Sequence, residues 1–140
     1  MTDSEPLLIR HIVPVLAGGA VVLLLTIVTD STLSAHGAIG TAEGGVPTTG
    51  SLALMTAYRA LFATVGCHLA GRLAPTGNPR MRYAMALGAL LLLLTIVSAI
   101  GTRGQLPAWY AIANIALTFP CAIIGGGTAV RVMARAGQPR

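Results

Sequence analysis

The sequence predicts an all-α fold, an integral membrane bundle of four transmembrane helices, and three observations predict it. Hydrophobic residues make up 54% of the chain and charged residues only 9%, at a mean hydropathy of +0.77. A water-facing domain carries about 25% charged residues, so this chain lacks the polar surface such a fold needs. The apolar residues are gathered into four stretches, each close to the ~20 residues a helix needs to cross a bilayer. The nine basic residues are all arginine and sit mostly at the ends of those stretches. That distribution marks topology and headgroup contact, not a nucleic-acid-binding face. With 140 residues the chain has room for one such unit.

The first helix is expected over residues 7–29, with its uninterrupted apolar part from Ile12 to Val28. Pro14 falls in the first turn of that part, where a missing N–H is tolerated. A cleaved signal peptide is the competing reading, with Leu33-Ser34-Ala35 as its cleavage site. The apolar stretch exceeds the ~7–15 residues of a signal sequence, and Leu33 is not small, so a retained helix is expected. Residues 30–51 form an extracytoplasmic loop rich in Gly, Thr, Ser and Ala, with no phosphate-loop or metal motif.

The second helix, 52–73, is apolar yet carries Arg59 and His68 inside it and Arg72 at its end. Residues 74–82 hold the turn sequence Pro75-Thr76-Gly77-Asn78-Pro79. The third helix, 83–101, contains the densest leucine run. The fourth, 109–132, opens on Trp109 and Tyr110 as an interfacial aromatic pair. It contains Asn114, the triplet Gly125-Gly126-Gly127, and Pro120, which is expected to bend it.

Four spans put both termini on one side. That side holds Arg10, Arg72, Arg80, Arg82, Arg131, Arg135 and Arg140, and the opposite side Arg103 alone. Under the positive-inside rule the termini and the 74–82 loop are cytoplasmic.

A guanidinium at membrane depth needs a partner or a route to the interface. Arg59 lies roughly 10 Å below the outer end of its helix by helical rise. Asp30 ends the first helix on that same side. Because Cβ bonds tilt toward a helix's N-terminus, the two side chains on antiparallel helices lean toward each other. Asp30 is the one acidic residue at a compatible depth, which favours an ion pair over snorkelling of Arg59 to the headgroups. Thr26, Thr95, Ser98 and Asn114 fall at similar depth, so a polar layer is expected in the outer half. Small residues line the inner half: Gly18, Gly19, Gly66, Ala70, Ala84, Gly88 and Gly125. They recur at helical spacings that let membrane helices approach closely. His68 lies nine residues after Arg59, on the opposite face, and shares the cytoplasmic end with Arg72. With no acid at its depth, His68 is expected to be neutral and packed or hydrogen-bonded near the headgroups, in preference to a proton relay.

The segments YRALFATVGCHLAGRLAP, RMRYAMALGALLLLL and PAWYAIANIALTFPCAIIGG resemble a group of small bacterial four-helix membrane proteins whose activity is not established. That resemblance implies four helices and a bacterial plasma membrane. Other four-helix families fit less well. Small multidrug exporters centre on a mid-membrane glutamate, quinone-linked thiol oxidases on paired cysteines, and fluoride channels on phenylalanines along the path. Here both glutamates lie outside the spans, Cys67 and Cys121 stand alone, and only Phe62 and Phe119 occur.

No nucleophile–base pair, metal ligand set or phosphate loop can be assembled from these residues, so no enzyme, metal or cofactor is expected. Two readings follow. The first is a structural or accessory bundle whose small-residue stripes pack against a second copy or another membrane protein in the lipid bilayer. The second is a small transporter or solute-binding bundle, with Asp30, Arg59 and Asn114 flooring an outward-opening cavity.

Overall fold

The computed structural model describes residues 7–40, 45–75 and 79–136. Four helices follow in order: α1 (Leu7–Ala35), α2 (Thr49–Arg72), α3 (Arg80–Gly101) and α4 (Ala108–Ala136). Each contains a stretch long and apolar enough to cross a membrane, so the chain is a multi-pass membrane protein. The helices run alternately up and down. One end of the bundle carries both termini and the α2–α3 turn. The other carries the α1–α2 loop and the 102–107 turn.

Every helix starts or ends outside its expected bounds, and α1 differs most. It continues through Asp30 to Ala35 instead of stopping at residue 29. Its polar end stays helical because its own carbonyls take up its hydroxyls: Thr32 Oγ1 donates to Val28 O at 2.7 Å. It stops where Gly37 adopts φ +65°. There Gly37 N–H donates to Ser34 O and Ala38 N–H to Leu33 O, the paired closure of a Schellman cap. Asp30 therefore lies inside α1 and does not end it. Pro14, expected in a first turn, lies inside α1 as well, buried against its neighbours. A missing backbone hydrogen bond is tolerated there because surrounding helices shield the freed carbonyl. The helix of α4 continues unbroken through Pro120.

α2 begins earlier than expected because Thr48 caps it. Thr48 is extended (φ −63°, ψ 158°), and its hydroxyl accepts from Ser51 N–H at 3.3 Å. Thr48 N–H and Ser51 Oγ both donate to Gly40 O, at 2.9 and 3.1 Å, which fastens the loop to the start of α2.

In the half nearest the termini, glycines let the helices touch backbone to backbone. A Cβ on Gly18 would stand 2.6 Å from Gly66 O, and one on Gly125 would stand 2.5 Å from Thr64 O. Added carbons at Gly88 and Gly126 would meet Ala122 and Ala84 at 2.5 and 2.8 Å. These approaches join α1 to α2, α2 to α4, and α3 to α4, with α2 and α4 running parallel. The core is Cys67, Ala70, Ala84, Leu87 and Ala122. α1 and α4 stand at opposite corners.

α3 is fully buried only in its first half, with Leu91 the last of its residues packed against the core. Its buried residues are Tyr83, Ala84, Leu87 and Gly88, and none follows Gly88. Beyond that point Leu90, Leu93 and Leu94 are exposed, Leu91, Thr95 and Ala99 are half-buried, and the bundle opens.

Candidate functional site

The opening is a cavity of about 920 Å³ in the loop half, lined by all four helices and the 103–108 turn. Its deepest lining residues are Val22, Ala63, Leu91 and Thr118. The glycine contacts between α1, α2 and α4 close the bundle just beneath them.

One wall carries Thr56, Arg59, Tyr110 and Asn114, members of a hydrogen-bonded network across α1, α2 and α4 whose Asp30 and Tyr58 lie behind the cavity lining. Arg59 Nη2 lies 3.1 Å from Asp30 Oδ2, an ion pair whose side chains are 35% and 31% exposed. Arg59 Nη1 donates to the Tyr110 hydroxyl at 2.8 Å. The Tyr58 hydroxyl donates to the other Asp30 oxygen. Arg59 Nε is buried with no partner among the described residues. One turn along α4, Asn114 Nδ2 donates to Tyr110 O at 2.8 Å and to Thr56 Oγ1 at 3.4 Å. The guanidinium charge is thus matched by one carboxylate, and its other bond goes to the neutral Tyr110 hydroxyl.

The geometry follows from the chain direction. α2 descends from the loop end, and Arg59 lies roughly 15 Å down from Thr49 by helical rise. α1 rises toward the same end and carries Asp30 one and a half turns below its close. Their Cβ tilts converge, as antiparallel helices require.

Of the other expected members, Thr26 and Asn114 line the cavity on the α1 and α4 sides, and Thr95 and Ser98 on the α3 side. They do not form one bonded layer. Thr26 Oγ1 donates to Val22 O and Thr95 Oγ1 to Leu91 O, both at 2.8 Å. Among the described residues, no side-chain hydrogen bond joins the loop half of α3 to another helix. The polar residues instead form a bonded wall and, across the cavity, a separate row of α3 hydroxyls.

His68 and Arg72 lie in the terminal half, outside the cavity. His68 Nδ1 is 2.9 Å from Thr128 Oγ1 of α4. Arg72 is exposed, and its carbonyl accepts from Arg80 Nη1 at 3.2 Å. At the same end His11 stacks on Tyr83, with ring centroids 6.1 Å apart, and shares a hydrogen bond with its hydroxyl.

Three site residues escape the reading from sequence: Tyr58, Thr56 and Tyr110. The expected interfacial pair divides, with Trp109 39% exposed and Tyr110 8%. Its one available signal was spacing: Tyr110 precedes Asn114 by four residues and shares its stripe.

Among the described residues, no three His, Cys, Asp or Glu side chains gather as a metal site. Cys67 and Cys121 are buried and unbridged. The chain matches no protein-family model, no curated protein and no solved structure.

Proposed function

We propose that this chain is a solute-binding bundle of a bacterial plasma membrane, with cytoplasmic termini and its site in the loop-half cavity. The arginine asymmetry supports that orientation, which turns the cavity toward the outer face. One observation carries the binding reading: a cavity within the ~300–1,000 Å³ range of ligand sites, mostly apolar with a few convergent polar groups. A bundle built only to hold itself together gains nothing from leaving a cavity of about 920 Å³ between its helices. The closely packed terminal half favours binding from one side.

The test is complementation of a strain lacking the chain by a form with Ala99→Phe and Ala111→Phe, two cavity-lining positions away from the ion pair. The filled protein is expected to reach the membrane at normal levels and to fail to complement. Full complementation by a filled and folded protein overturns the reading.

The tight glycine contacts support a second reading, an accessory bundle in which Asp30 and Arg59 act as a staple and a second copy or another membrane protein is the partner. Asp30→Asn with Arg59→Gln separates the two. A variant that stays assembled but fails to complement supports binding, and one that falls apart supports the staple.

A further inference from the structure

Resting on the solute-binding reading, we propose that the occupant is an amphiphile with a single negative charge. Its head sits at the loop-end rim of the cavity beside Arg103 and Arg59, and its apolar chain lies below. The charge follows from what lines the cavity. Arg59 and Arg103 both do, and among the described residues no Asp or Glu does. Arg59 is balanced by Asp30, which lies behind the lining. Arg103 is exposed and has no carboxylate within salt-bridge reach among the described residues. These three groups leave one positive charge in excess, which a monoanion neutralises. Topology accounts for the arginines of the terminal end but gives no reason for Arg103, the one arginine of the opposite side that lies outside a span.

The free donors are gathered at the same end. The hydroxyls of Thr26, Thr56, Thr95, Thr102 and Thr118 each donate to a carbonyl of their own helix. Asn114 Nδ2 is engaged twice, and its Oδ1 is a neutral acceptor one turn deeper than Tyr110. Of the lining hydroxyls that leaves Ser98 and Tyr110, whose protons have no acceptor among the described residues. Ser98 lies in the last turn of α3, and Tyr110 in the first turn of α4, where its hydroxyl holds the Arg59 guanidinium. Below this level the character changes. Leu91 stands ten residues before the end of α3, roughly 15 Å down by helical rise. With Val22, Ala63, Leu94 and Ile115 it offers side chains of hydrocarbon alone. A cationic, donor-bearing rim over an apolar floor fits a charged head that carries a chain, whereas a small inorganic anion leaves the floor unfilled.

The experiment places the full chain in phosphatidylcholine nanodiscs with a photoreactive long-chain fatty acid, its diazirine on the chain, at about pH 9, where the carboxylate is ionised. Crosslinks are mapped by mass spectrometry. Labelling is expected at Leu91, Leu94 and Ile115, saturable by unlabelled fatty acid, and lost in the protein with Ala99→Phe and Ala111→Phe. Arg103→Gln is expected to weaken binding about ten-fold, the effect of one charged hydrogen bond, and Arg103→Lys to retain most of it. The methyl ester, with the same chain and no charge, is expected to compete about ten-fold more weakly than the acid. Competition by a lysophosphatidylglycerol that exceeds the fatty acid's supports a phosphodiester head, and weaker competition a carboxylate. Inorganic phosphate is expected not to compete. Equal competition by the methyl ester, full competition by inorganic phosphate, or unchanged binding by Arg103→Gln overturns the proposal. Even, unsaturable labelling that includes the lipid-facing Leu61, Ile123 and Ile124 overturns it too. So does saturable labelling that emerges only with Glu43→Gln, an acid outside the described residues, since the chain would then neutralise the rim itself. If the filled protein fails to complement while labelling stays even, the cavity binds a different solute and only this inference falls.

Discussion

Removing one member of the Asp30–Arg59 pair should destabilise the bundle more than removing both. Arg59→Gln strands a carboxylate that keeps only the Tyr58 hydroxyl, and Asp30→Asn strands a guanidinium that keeps only Tyr110. Breaking a fully buried pair from one side costs about 3–5 kcal/mol. These side chains are about one-third exposed, and water or headgroups screen part of that cost, so about 2 kcal/mol is expected for each single change. In the double variant no charge remains, and the two amides can bond to each other and to both tyrosines, so about 1 kcal/mol is expected. The coupling is then about 3 kcal/mol in favour of the pair. Reversible unfolding in mixed micelles, run as a double-mutant cycle, measures it. Two single variants that each cost less than about 0.5 kcal/mol and simply add would refute the reasoning. Arg59 would then be reaching the headgroups without a specific partner.

The glycines supply a matched pair of tests. Gly125→Val sets side-chain carbon against Thr64 O and the Cys67 side chain and should cost more than about 3 kcal/mol, read as loss of folded protein in detergent. A carbon added at Gly127, two residues along the same helix, meets nothing within 4 Å, so Gly127→Ala should stabilise by about 0.5–1 kcal/mol in a thermal melt. Tyr110→Phe removes a neutral partner of Arg59 without stranding a carboxylate, and about 1–2 kcal/mol should be lost in the same unfolding assay. Gly37→Ala puts a Cβ into a left-handed cap and should cost about 1–2 kcal/mol, with faster amide exchange confined to the last turn of α1.

Which of these features the sequence makes legible depends on the physics behind each. Four spans are legible because lipid imposes length and composition directly. The approach of Asp30 to Arg59 is legible because one acid and one buried arginine at matched depth on antiparallel helices leave little choice. The end of α1 is not, because Ser31, Thr32 and Ser34 read as loop, whereas Thr32 bonds a carbonyl of its own helix and the helix runs on to the cap at Gly37. Tyr110 is missed for a related reason. A tyrosine beside a tryptophan at a span's start reads as interfacial, and only its register on α4 turns it inward. The cavity itself is invisible in the sequence. A leucine run satisfies lipid and a packed neighbour equally well, so nothing in residues 89–101 tells that α3 has no fully buried residue after Gly88.

The bundle is open in its loop half and closely packed in the half nearest the start of α1 and the end of α4. A cysteine scan along α3 in sealed membranes, with Cys67 and Cys121 replaced by alanine and a membrane-impermeant maleimide added outside, tests it most directly. Modification is expected at Ser98 and Thr102 and should end abruptly before Leu87. Protection at Ser98 equal to that at Leu87, or labelling that continues past Leu87 toward Ala84, would contradict it.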